Sequence, residues 1–152
     1  ITLSAGISVT KPALPVHSIA DQVEAQLKQA KKHHGKNAVN LFSTTAGWDD
    51  FARLIEKGDW LHALIRDGHV HRGLGTRLLY YGNERQAFLD GDIKRGIYLS
   101  HMQYDFARNI NEKTVKNTQE REAILGIQGN EFLLDHIRLP VSWALYRLRK
   151  DA

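Results

Sequence analysis

Four lysines fall within nine positions, Lys28, Lys31, Lys32 and Lys36, in the stretch VEAQLKQAKKHHGKNAVNLF. Ammonium groups at this density suit an anion such as phosphate, which binds where cations and oriented N–H groups converge. Lys31 and Lys36 flank the expected end of a helix and the glycine turn after it, so either could reach an anion held against a sheet edge. The same spacing also suits a purely local role. Cations in a last helical turn offset the macrodipole and cap free carbonyls.

Other chemistry-bearing residues carry less. Among eight histidines, His33 and His34 are adjacent, which on a helix points them about 100° apart and prevents joint chelation. His69-Val70-His71 could share one ion only if extended, and no helical HExxH pair is present. Gly73-Leu74-Gly75 resembles the start of a dinucleotide fingerprint but follows no strand, which favours a close helix approach. Asp90 and Asp92 in FLDGD suit a solvated turn better than a cation site. Arg108, Arg138, Arg147, Arg149 and Lys150 lie on or near expected helices, with Arg147 and Lys150 on one face by their spacing of three. Such a stripe could touch a nucleic-acid backbone or simply be a solvated surface.

The elements that must position these groups divide in two. ITLSAGIS alternates with period two and predicts a strand over residues 1–8. A loop with two of the three prolines follows. Ser18 is the expected N-cap of a helix ending at Gly35, and residues 37–42 are the next strand. This crossover normally joins parallel strands. Two strands and one helix bury no sheet alone, so further strands are expected elsewhere in the parent chain or in another copy. Ser43 to Gly47 shifts to small polar residues and is the expected domain boundary. Beyond it the period is helical. A short helix from Trp48 is expected to break at Gly58 and Asp59 and resume to Gly68. Further helices are predicted over residues 71–89, 94–111, 117–128 and 139–150, with Pro140 in the first turn of the last. The prediction is an α+β chain with two domains: residues 1–45, strand-helix-strand, and residues 46–152, an all-α bundle of about five helices.

The 152 residues and 42% apolar content predict a buried core. No cysteine is present, which excludes disulfides and thiolate metal sites and fits a reducing, cytoplasmic setting. No run of about 18 apolar residues occurs, so no membrane partner is expected. Ile1 opens in mid-strand, and a piece of a longer protein is expected. The net charge of +4 permits an anionic partner. Residues 46–152 carry 16 basic and 15 acidic side chains, so only a local basic patch is expected there.

As a pattern, TLSAGIS, then a helix ending AKKHHGKNAV, then a strand resembles the closing third of a GGDEF-type nucleotide-cyclase palm. That family places T-x-S-x-G before a helix ending in A-K, followed by G-R/K-N-x-V. QYDFARNI and RLPVSWALYRLRK resemble the C-terminal helical domain of the large, polymerase-like subunit of type III CRISPR effector complexes, most like the III-A form. The resemblance covers nearly all of the chain.

The resemblance implies a ferredoxin-like palm end followed by a helical bundle. It implies a ribonucleoprotein with guide RNA and other effector subunits, including the small helical subunit. In the family, pairing of target RNA with the guide makes two palms convert ATP into cyclic oligoadenylates, and an HD domain in many members cuts single-stranded DNA. A ribose hydroxyl attacks an α-phosphate with help from Mg²⁺ or Mn²⁺, held by two carboxylates of a G-G-D-D hairpin. That hairpin and the HD motif are expected outside these residues, so no catalytic residue or metal ligand is expected here. On matching positions Lys31 and Lys36 contact the triphosphate. The turn is one residue longer than the cyclase form, so Lys32 competes with Lys31. Ser4 and Gly6 lie beside the missing hairpin, where Gly6 permits either nucleotide approach or strand packing. Arg108, Arg147 and Lys150 are the implied RNA contacts, along a guide–target duplex read through its backbone. A diguanylate cyclase output domain would explain residues 1–43 but not the helices. A non-catalytic RNA- or protein-binding helical module is the other alternative.

Overall fold

A computed structural model describes residues 1–152. Seven α-helices accompany a three-stranded sheet, which makes the chain α+β. The strands are β1 (Ala5–Ile7), β2 (Ala38–Leu41) and β3 (Thr44–Gly47), in the order β1-β2-β3. Helix α1 (Val16–Lys32) crosses from β1 to β2, and these two strands pair parallel, with Ala5 opposite Val39 and Ile7 opposite Leu41. The strand expected over residues 1–8 is ordered as a ladder only over its last half. Pro15, rather than Ser18, precedes the first turn of α1, and no side chain caps it.

The stretch expected to be a domain boundary is instead strand β3. It pairs antiparallel with β2, Val39 opposite Ala46, and the division between residues 45 and 46 falls inside it. One further strand therefore lies within the chain, on the β2 side of the sheet. The two-residue turn between them uses Phe42 and Ser43, both at positive φ (51° and 60°). A hairpin of this length needs such dihedrals to match the strand twist, and Asn-Gly is the usual way to supply them. Here the partly buried Phe42 packs on the core and anchors the turn instead.

Both faces of β2 are covered. Gly6 and Asn40 are cross-strand partners and face α1, where a methyl built on Gly6 would lie 2.5 Å from the backbone nitrogen of Leu27. Glycine is thus what lets the helix lie on the strand. The opposite face sends Leu41 and Ala46 into one contiguous core that runs through the helical part to Ala144. The outer edge of β1 has no partner strand, and Leu3, Ile7 and Val9 remain exposed along it.

Helix α2 (Trp48–Arg66) follows β3 at once and runs unbroken through Gly58 and Asp59. The expected break is absent for a packing reason. A methyl on Gly58 would lie 2.8 Å from the Pro140 carbonyl and 2.8 Å from the Trp143 ring, so α7 (Arg138–Lys150) crosses there at backbone contact. The Trp143 indole N–H (2.8 Å) and the Arg147 guanidinium (2.6 Å) both donate to Asp59, fixing that crossing. Together, the indole first and the guanidinium second, they hold the Asp59 carboxyl below the usual range. Helix α3 (Gly73–Leu89) approaches α7 at Gly75, which faces Leu145 and Val141. A 3-10 turn (Ile93–Ile97) leads into α4 (Tyr98–Asn109). Asn117 caps α5 (Thr118–Leu125), and Asn130 caps the unforeseen short helix α6 (Glu131–Asp135). Pro140 sits in the first turn of α7, where its lack of an N–H costs nothing.

Candidate functional site

The lysine cluster stands at the C-terminal end of α1. The helix closes at Lys32, and the chain turns through Gly35 (φ 77°) and Lys36 (φ 51°) into β2. Lysine in the left-handed region is uncommon, so the turn is held from outside. Ser4 does this: its hydroxyl donates to the Lys36 carbonyl at 2.5 Å. The Asn37 side-chain oxygen accepts from the Leu3 N–H, and the Trp48 indole donates to the Leu3 carbonyl at 2.9 Å. The residues leading into β1 are thereby stitched to the turn carrying Lys36.

The four ammonium groups differ. Lys28 pairs with Glu24 at 2.8 Å, one turn away, and the pairing lowers the Glu24 pKa and raises that of Lys28. Both side chains are solvated, so this pair contributes little. Lys31, Lys32 and Lys36 are exposed and make no ion pair or hydrogen bond through their ammonium groups. None of them caps a helix carbonyl directly. Residues 1–45 hold five lysines and two acids, a balance of +3 within the total of +4. Three uncommitted cations at one turn can accept an anion and compensate the helix dipole at once.

The structure brings Ser4 and Lys36 together and sets Gly6 two residues along the same strand, against α1. The sequence-derived RNA residues lie on two helices: Arg108 on α4, and Arg147 and Lys150 three apart on α7. Arg147 is committed to Asp59, and Lys150 lies 5.8 Å from the Tyr146 ring centroid on the same helix. Arg108 sits on α4, exposed, with only a long contact of 3.4 Å to Tyr104. No group of three or more histidine or acidic side chains is arranged to hold a metal ion, and no helix is long and apolar enough to cross a membrane.

A polar centre absent from the sequence-derived set lies on α4. Asp105 is buried and accepts from Arg77 (2.7 Å), Tyr81 (2.9 Å) and the Asn109 amide (2.5 Å). One sign of it was visible: an acid flanked by Tyr104 and Phe106 in an amphipathic helix. Its partners Arg77 and Tyr81 are four apart on α3, so they share a face. Burial, then the hydrogen bond to Asp105, pushes the Tyr81 phenol up to about 12. An ordinary phenol titrates near 10. The difference between absorbance titrations of the native chain and of Tyr81→Phe is therefore expected to show a phenolate forming about two units late. The sign follows from the shift: folding favours the neutral phenol, so this contribution to stability is complete below about pH 10 and is lost as pH rises toward 12. A difference curve centred near 10 would contradict the buried network.

No protein-family model matches the chain, and no curated protein or solved structure matches it either.

Proposed function

We propose that the chain is the C-terminal part of the large, polymerase-like subunit of a type III CRISPR effector, most like the III-A form. Residues 1–45 end a GGDEF-like palm, and the helices that follow form its C-terminal domain. In the intact subunit, binding of target RNA triggers synthesis of cyclic oligoadenylates from ATP. This part contributes phosphate contacts from Lys36 and Lys31, with Ser4 holding the turn between them and the strand. Mg²⁺ or Mn²⁺ and its carboxylate ligands belong outside these residues, so the part alone is inactive. The helical region lies along guide and target RNA and against neighbouring subunits, with Arg108 and Lys150 among its unpaired cations.

The observation that carries the proposal is the unpaired state of the Lys31 and Lys36 ammonium groups on a turn held by Ser4. Cations of this kind neutralise a leaving pyrophosphate without reorganising. The free outer edge of β1 supports it further, because an upstream palm strand would pair there. Glycine at position 6 serves the packing of α1, which accounts for the T-x-S-x-G pattern without a nucleotide contact through that face.

The test is Lys36→Ala in the intact subunit, assayed for target-RNA-triggered cyclic oligoadenylate formation. Loss of one charge-assisted contact to phosphate is expected to lower kcat/KM for ATP about tenfold or more. Unchanged ATP affinity and turnover would remove that role.

A further inference from the structure

Between the turn after α2 and the loop joining α4 to α5 lies a cavity of about 350 Å³. A second, of about 370 Å³, adjoins it and shares Gly68, His69 and Thr114 with it. One wall is His69-Val70-His71, in which Val70 enters the core and both imidazoles stay exposed.

Hydrogen bonding fixes which of the surrounding groups are free. The Gly73 N–H donates to His71 Nδ1 at 3.0 Å, so the His71 hydrogen sits on Nε2 and that atom is a donor. Arg77 spends its Nε–H on Asp105 and leaves its terminal amino groups unbonded. Asn117 accepts from the Glu120 N–H through its oxygen, leaving its NH₂ free. Lys116 makes no ion pair. The nearby acids are all taken: Asp105 by Arg77, Tyr81 and Asn109, Glu120 by His69 at 2.6 Å, and Asp67 by Arg66 at 2.9 Å. Free donors outnumber free acceptors, and the carboxylates are paired, which favours a ligand rich in acceptor oxygens.

Gly73 gives an independent pointer. A methyl built on it would lie 2.9 Å from His71 Nδ1 and 3.3 Å from Arg77 Nη1. The imidazole and the guanidinium therefore close on Gly73 from one side, and any side chain there would displace them. Leu74, Ile110 and Val115 close the cavity floor and are themselves buried in the core. The whole exceeds what a bare phosphate needs and falls within the range of small-ligand sites.

We propose that this cavity binds the phosphate of a nucleotide, with the donors of His71 and Arg77 on its oxygens and the adjoining cavity, with the donors of Lys116 and Asn117, taking the rest of the ligand. The phosphate comes either from a free nucleotide or from a link in an RNA strand, and only the strand source rests on the RNA-associated function proposed above.

The test is a titration of the full chain with AMP, with inorganic phosphate and with a short oligoadenylate lacking terminal phosphates, following the His71 ring and Gly73 amide resonances. AMP is expected to shift both, saturably. Gly73→Ala, whose methyl would press on His71 Nδ1 and Arg77 Nη1 and shift both, is expected to weaken AMP about tenfold, and His71→Leu likewise. Lys36→Ala is expected to leave these shifts unchanged, so the result is separable from the fate of the lysine turn. Shifts with the oligoadenylate identify the strand as the source; shifts with AMP and phosphate alone identify a free nucleotide, and both support the site. No shift with AMP, or full affinity in both Gly73→Ala and His71→Leu, overturns it.

Discussion

Asp105→Ala is expected to lower the unfolding free energy by about 3 kcal/mol, the low end of the cost of removing one partner from a buried ion pair. Asp105 is 8% exposed and collects three donors. Removing it leaves the buried Tyr81 hydroxyl only a long 3.5 Å contact to the His101 carbonyl and deprives Arg77 of its counter-charge. Arg77 is about a third exposed at its side chain (35%), so water recovers part of the loss, which is why the low end applies. Asp105→Asn keeps the shape and one acceptor and is expected to cost less. Urea unfolding of both variants measures the difference. A loss under about 1 kcal/mol for the alanine variant would mean that the network carries no more than an exposed pair.

The second large effect is expected at Gly58. Valine there places three carbons where even one would lie 2.8 Å from the Pro140 carbonyl and from Trp143. The Pro140 atom is backbone and cannot rotate away, so α7 must shift. The expected cost is at the upper end of about 1–3 kcal/mol for overpacking. The shift would also pull Trp143 and Arg147 off Asp59. Gly58→Ala adds helix propensity of about 1 kcal/mol against a smaller clash. The alanine variant is therefore expected to lose less than the valine variant. Equal stabilities by thermal unfolding would contradict the tight crossing.

These two sites show what could be read in the sequence and what could not. The long helices were legible because Leu54, Leu61, Leu74 and Leu78 repeat at helical spacing and enter the core as that spacing requires. The β1–α1–β2 crossover was legible from period two, then helical period, then a second apolar run. Strand β3 was not. TTAG has no apolar alternation, and its hairpin lacks Asn-Gly, because the burial of Phe42 and the pairing to β2 hold the turn in place of local propensity. Gly58 looked like a helix breaker because propensity is local, whereas the reason for a glycine there lies more than eighty residues away in α7. Among candidate site residues, the lysine turn was visible because its members are close in sequence. The Asp105 network and the cavity beside His71 were not, because they join α3 to α4 and one loop to another about 40 residues on. Arg147 read as a free cation because its partner Asp59 is 88 positions away.

The central claim is that the turn at the end of α1 grips the phosphates of ATP. A structure of the intact subunit bound to a non-hydrolysable ATP analogue tests it most directly. The Lys36 ammonium is expected within hydrogen-bonding distance, about 3 Å, of a triphosphate oxygen, with Lys31 or Lys32 beside it. Triphosphate bound elsewhere, with the Lys36 ammonium still facing solvent, would contradict the claim.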